Sequence, residues 1–167
     1  FFEGGQTVAL SGFYKNFQNP IELVAYSAAA PSNFQPRNVG NATVAGVEFE
    51  VRKNLGFMGL SNFEVNSNFS YIYSAVTRDS AEYAARVASA RIGEVIDELR
   101  PMQGQSPYMV NVGLNYNNPK KGWQGGLFYN VQGEKLYIVG VADNPDVYEV
   151  PFHSLNLNLM NRFGEEH

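Results

Sequence analysis

His153 is the side chain whose type best suits a general base, and Glu149 is a carboxylate that could assist it. The other histidine is His167 at the terminus, and His153 sits beside a strand start, so a solvated or hydrogen-bonded imidazole is the stronger reading. Ser32, Ser70 and Ser106 lack the Gly-x-Ser-x-Gly turn that raises a nucleophilic serine, and that turn occurs nowhere in the chain. Gly122, Gly125 and Gly126 echo a phosphate loop, but no Gly-Lys-Ser or Gly-Lys-Thr follows, so they read as strand glycines. Asp143, Asn144, Asp146 and Glu149 offer oxygens to a hard cation, though a polar external loop explains them as well. With no cysteine there is no thiolate metal site, disulfide or thiol nucleophile. The expectation is a protein without an enzyme active site and without a cofactor.

The elements that hold these residues are more informative. Thr7 to Phe17 alternates Val8, Leu10, Gly12 and Tyr14 with Thr7, Ala9, Ser11, Phe13 and Lys15, the period of a strand. Asn19-Pro20 ends it, Ile21 to Ser27 could extend it, and Ala28 to Pro36 reads as a loop. From Asn38 to Lys53, Ala45, Val47, Phe49 and Val51 oppose Gly46, Glu48, Glu50 and Arg52. A third strand sets Phe63, Val65, Phe69, Tyr71 and Tyr73 against Asn62, Glu64, Asn66, Asn68 and Ser70. The fourth runs from Tyr108 to Tyr116, the fifth from Trp123 to about Val139, and the sixth from about Val150 to Phe163 with Leu155, Leu157 and Leu159 on one face. One stretch breaks the pattern: Ala84, Ala88, Ile92, Val95, Ile96 and Leu99 predict a helix over 80–99, started by Asp79 and Glu82.

Composition fits a wall with one face in lipid and one in water. Charged residues make up only 17%, aromatic residues 14%, and polarity comes from amides and hydroxyls. No apolar run is long enough for a spanning helix, so any spanning structure is β. The net charge of -4 without a basic cluster gives nucleic-acid binding no support. Strands of ten residues or more suit a tilted membrane crossing. Short turns at Asn54 to Leu60 and Asn117 to Gly122 alternate with long connections at Asn19 to Arg37, Arg78 to Pro107 and Gly140 to Glu149. That is the outer-membrane arrangement, with the short turns in the periplasm. The fold class expected is therefore all-β: an antiparallel up-and-down meander of about six long strands, a segment of a transmembrane β-barrel with one helix in a long loop.

On this reading Glu48, Glu50, Arg52 and Glu64 point into the lumen, where charges pair or meet other protein. Tyr71, Tyr73, Tyr108, Tyr116 and Trp123 sit at the membrane interfaces. The bland reading makes these aromatics core residues of a soluble sandwich.

Several phrases resemble the distal barrel of TonB-dependent receptors: Phe13-Tyr14-Lys15-Asn16-Phe17 with Asn19-Pro20-Ile21-Glu22, and Asn38-Val39-Gly40-Asn41-Ala42 leading to Gly46-Val47-Glu48-Phe49-Glu50. Arg100-Pro101-Met102-Gln103-Gly104-Gln105-Ser106-Pro107-Tyr108 and Tyr129-Asn130-Val131-Gln132-Gly133 are similar to phrases farther along in the same family. The resemblance implies a barrel of about 22 strands in the bacterial outer membrane with its lumen filled by a plug domain. It implies as partners the outer-membrane lipid, the plug of the same parent chain, TonB through that plug, and a small-molecule or glycan ligand such as a siderophore, cobalamin or oligosaccharide. Residues 1–167 are then expected to be part of a barrel domain, with the plug and closing strands elsewhere. Gly164 and the acidic pair after it read as a periplasmic turn. An isolated piece of this kind could alternatively fold differently from its parent, burying its lipid face against itself or a second copy. The alternatives are a plug-less outer-membrane barrel of porin or adhesin type, and a soluble β-sandwich binding module.

Overall fold

A computed structural model describes residues 6–27, 30–142 and 144–163. Six long strands form one antiparallel wall: β1 (Thr7–Phe17), β4 (Ala42–Leu55), β5 (Leu60–Thr77), β7 (Tyr108–Asn118), β8 (Trp123–Gln132) and β11 (Phe152–Asn161), in that spatial order. Each pairs with its sequence neighbour in the wall over nine residues or more, as the alternation predicts. The sheet is a single open layer with β1 and β11 as its edges, which is not a sandwich. No helix among the described residues is long and apolar enough to cross a membrane, a fact that says nothing of strands.

At one end the wall turns tightly. Gly56–Met58 forms a single 3-10 turn closed by Gly59 at φ +80, and the β7–β8 turn uses Gly122 at φ +70. Glycine suits such left-handed positions because it has no Cβ to clash. Three excursions leave the other end. The first is a hairpin of β2 (Ile21–Ser27) and β3 (Ala30–Asn38), entered through Asn19 at φ +49. The second carries helix α1 (Ser80–Ala88) and β6 (Leu99–Arg100), which pairs with the end of β5. The third is a hairpin of β9 (Lys135–Ile138) and β10 (Val147–Glu149).

Three boundaries differ from expectation. Residues 30–38 form a strand, because β3 pairs only with β2 and an edge strand tolerates proline. The helix stops at Ala88 rather than continuing to residue 99. Gly93 takes φ +86, and Ile92 and Val95 lie in the open, so the apolar spacing beyond Ala88 has nothing to pack on. The fifth strand breaks after Gln132. There the Gly133 N–H donates to the Tyr108 carbonyl at 3.0 Å and the Gly133 carbonyl accepts from the Ser106 hydroxyl, which turns the chain out of the wall. Asp143, the side chain of Ser32 and the expected turn at 164–167 lie outside the described residues.

The buried core lies at the cap end of the wall. Val24, Val39, Ala42, Val76, Leu136 and Val139 pack together where the excursions meet, with Met102 and Val141 against them. The excursions thus form one cap whose apolar interior is shared with the adjoining ends of β4 and β5, while the rest of the wall leaves both faces uncovered.

Candidate functional site

Register sorts the wall into two faces. Glu48, Glu50 and Arg52 on β4 stand opposite Ser70, Asn68 and Asn66 on β5, so they share a face with one another and with Glu64. Arg52 Nε donates to Glu64 Oε1 at 3.0 Å, and the Ser11 hydroxyl lies 3.4 Å from Glu48 Oε2. With one guanidinium among three carboxylates, this corner holds an excess of negative charge.

Away from it the same face carries Lys15, 5.3 Å over the Phe13 ring, and is neutral across β7, β8 and β11. Asn68, Asn111, Asn130 and Ser154 are successive partners across β5, β7, β8 and β11. Asn111 donates to Asn68 at 2.5 Å, Asn130 donates to Asn111 at 2.5 Å, and the Ser154 hydroxyl lies 3.4 Å from Asn130 Oδ1. A second amide pair, Asn115 to Asn66 at 2.9 Å, lies nearer the short turns. The row satisfies amides without placing an ion on the wall.

The opposite face is apolar and open. Leu10 is 76% exposed and Leu157 78%, in company with Val8, Val47, Phe49, Val112, Leu127, Leu155 and Leu159. An apolar surface this continuous is not left in water by a finished protein. Aromatic residues gather at both ends of the stripe. Tyr71 pairs with Tyr108 and, with Tyr73, lies toward the excursions. Tyr116 pairs with Phe63, ring centroids 4.9 Å apart, and Trp123 starts β8 beside the short turn. Phe63 and Tyr73 are ten positions apart on β5. At ~3.3 Å per residue and a tilt of ~40° this spans ~25 Å along the membrane normal, the height of an outer-membrane apolar band.

The residues considered for catalysis do not converge. The Tyr129 hydroxyl and His153 Nδ1 are 2.7 Å apart on the apolar face, whereas Glu149 pairs with Lys135 at 3.2 Å in the third excursion. Ser70 is a wall residue, and buried Ser106 spends its hydroxyl on the Gly133 carbonyl. Asp146, weighed above as a cation ligand, is taken by Arg86, by Arg78 at 3.5 Å and by the Gly140 N–H at 2.9 Å. Among the described residues no group of three potential ligands could hold a metal.

The cap holds a cluster that sequence spacing did not reveal. Arg100 Nη1 is 2.6 Å from Glu22 Oε2, with the two side chains 1% and 2% exposed. Arg100 Nε reaches Glu82 at 3.2 Å, Glu82 also pairs with Arg78, and Arg78 and Arg86 share Asp146. Three guanidiniums and three carboxylates thereby join all three excursions. Nearby, the Tyr148 phenol is pushed above its ordinary range, first by partial burial and then by the Asp146 carboxylate. Glu22 within an apolar strand was the one local hint of such a cluster.

A single-layer antiparallel wall, apolar and aromatic-girdled on one face, polar on the other and capped at one end, is a segment of a transmembrane β-barrel. The family model described as TonB dependent receptor-like, beta-barrel matches residues 1–163, and the chain belongs to that family. A search of curated proteins finds no match. Barrels of this family are outer-membrane proteins of Gram-negative bacteria, and the role that follows is that of an outer-membrane receptor or transporter.

Proposed function

We propose that this wall serves TonB-coupled uptake of a nutrient ligand of the siderophore, cobalamin or glycan type. The polar face lines the lumen, and Glu48, Glu50, Arg52 and Glu64 meet basic and polar groups of the parent chain's plug. The apolar face meets lipid, with Tyr71, Tyr73 and Tyr108 at the outer interface and Tyr116 and Trp123 at the inner one. Further strands of the same barrel continue the sheet beyond β1 and β11, because strand edges this long do not stay unpaired in a membrane. The cap lends part of the external binding surface, and the role involves no covalent chemistry.

The observation that carries this reading is the asymmetry of the faces: charge and amides on one, exposed leucine and valine bounded by aromatics on the other. Uptake assays in cells lacking the receptor gene test it. Loss of energy-dependent accumulation of one ligand class, reproduced by inactivating TonB, supports the proposal. Passage that persists without TonB supports a plug-less barrel instead.

A further inference from the structure

The segment from Arg100 to Tyr108 touches every part of the cap. Arg100 pairs with Glu22 of the first excursion and with Glu82 of α1. The Met102 N–H donates to Ser74 of the wall at 3.1 Å, and the Gln103 N–H to Glu22 at 2.8 Å. The Gly104 N–H donates to Leu136 in the third excursion at 2.8 Å. Ser106 and Tyr108 hold Gly133, where the third excursion begins.

Gln103 does what a strand residue would do. Its side-chain oxygen accepts from the Leu23 N–H at 2.6 Å, and its amide nitrogen donates to the carbonyls of Leu23 at 2.9 Å and Tyr137 at 2.5 Å. It thereby bridges β2 and β9, one step from where the Ala25 N–H donates to the Val139 carbonyl at 3.1 Å and Val24 bridges Val139 in parallel. Two hairpins from distant parts of the chain are stitched together by a side chain from a third.

Ordinary external loops open one at a time at little cost. Here, moving the first excursion alone separates Glu22 from Arg100, both almost fully buried, strips Gln103 from Leu23 and bares Val24 and Val39. Arg100 Nη2, Arg86 Nε and Glu22 Oε2 are buried without a hydrogen-bond partner, so Glu22 and Arg100 are held by charge alone at 2.6 Å. A guanidinium left there without its carboxylate is costly. Moving the excursions together spares the Glu22–Arg100 and Gln103–Leu23 contacts but breaks those to the wall, where Met102 bonds Ser74 and Val24 and Val39 pack with Ala42 and Val76.

We infer that the Arg100–Tyr108 segment makes the three excursions one cooperative unit that loses and regains its structure as a whole, with Arg100 and Gln103 as its positioning residues. This goes beyond the transport reading, because it holds whatever the ligand and whatever drives uptake.

Amide hydrogen exchange on the full-length receptor in lipid nanodiscs tests it, read at Val24 in β2, Ala85 in α1 and Val139 in β9. Gln103→Ala is expected to lower protection at all three by about 10-fold or more, since it leaves strand amides unpaired. Arg100→Met is expected to lower all three by about 100-fold or more. Wall amides at Val8 to Leu10 and Val112 to Leu114 keep their protection in both. A loss confined to one or two excursions, or no loss at all in Gln103→Ala, overturns the inference. Should either variant fail to insert, exchange of the unaltered receptor under opening-limited conditions decides: one shared opening rate upholds the unit, and separate rates refute it.

Discussion

The ring of Phe13 on β1 lies over the bare backbone of Gly46, its directly paired residue on β4. A Cβ added at Gly46 would sit 2.6 Å from Phe13 Cζ and 2.8 Å from the Tyr71 carbonyl oxygen. Phe128 does the same on β8, its ring reaching over Gly113 and Gly126. Glycine lets an aromatic ring lie over the sheet on the polar face, where a Cβ would push it away. This gives a physical reason for the glycine that opens Gly46-Val47-Glu48-Phe49-Glu50.

Gly46→Ala is therefore expected to destabilise the folded barrel by about 1–3 kcal/mol, the usual cost of overpacking. Phe13→Ala in the same chain relieves part of that loss. Urea midpoints of the SDS-resistant folded form, for both single variants and the double, check this; additive losses mean the ring and the glycine are not coupled.

Leu127→Lys places a charge midway along the apolar face and is expected to cost about 2–4 kcal/mol of folding stability in lipid. Asn156→Lys, one row away on the other face, is expected to cost under about 0.5 kcal/mol. Folding titrations of the two variants into the same vesicles separate the faces energetically.

Asn111 both receives a hydrogen bond from Asn130 and donates one to Asn68. Asn111→Ala removes two bonds in one step and should lower stability by about 1–3 kcal/mol. Ser154→Ala, at the weak 3.4 Å end of the row, should change it little. Equal effects at the two positions would mean that the amide row is decorative.

The long strands were legible because a wall between lipid and water imposes a strict two-residue period, plainest in Leu155 to Leu159. Three of the four charged residues were legible for the same reason: alternation alone puts Glu48, Glu50 and Arg52 on one face, and the β4–β5 register brings Glu64 to them. The cap was not. Leu136 and Tyr137 continue the alternation of the fifth strand, yet the bonds that turn Gly133 aside come from Ser106 and Tyr108, far away in sequence. Pro31 and Pro36 read as loop residues because sequence does not reveal that β3 is an edge. Ile92 and Val95 keep helical spacing where the fold supplies no surface for it. The pairing of Glu22 with Arg100 depends on three excursions converging, which no local pattern encodes.

The raised Tyr148 pKa makes the cap sensitive to alkali. The phenol is held neutral when folded, so its contribution is complete below the ordinary tyrosine value of about 10 and is lost as pH rises through the higher folded value. Phenolate absorbance titration of the receptor minus that of Tyr148→Phe should isolate one late-titrating tyrosine, and the variant should lose less cap protection above pH ~10. A difference spectrum with the ordinary midpoint would contradict the burial assigned to this ring.

The central claim is that the two faces of the wall meet lipid and lumen respectively, and site-directed fluorescence in vesicles containing brominated lipid tests it most directly. Single cysteines at Val47, Val112 and Leu127, labelled with bimane in the full-length receptor, are predicted to be quenched by the lipid. Cysteines at Glu48, Glu50, Asn68 and Asn130 are predicted to escape that quenching. Lipid quenching at Glu48 or Asn68 together with its absence at Leu127 would contradict the assignment of faces and the receptor architecture built on it.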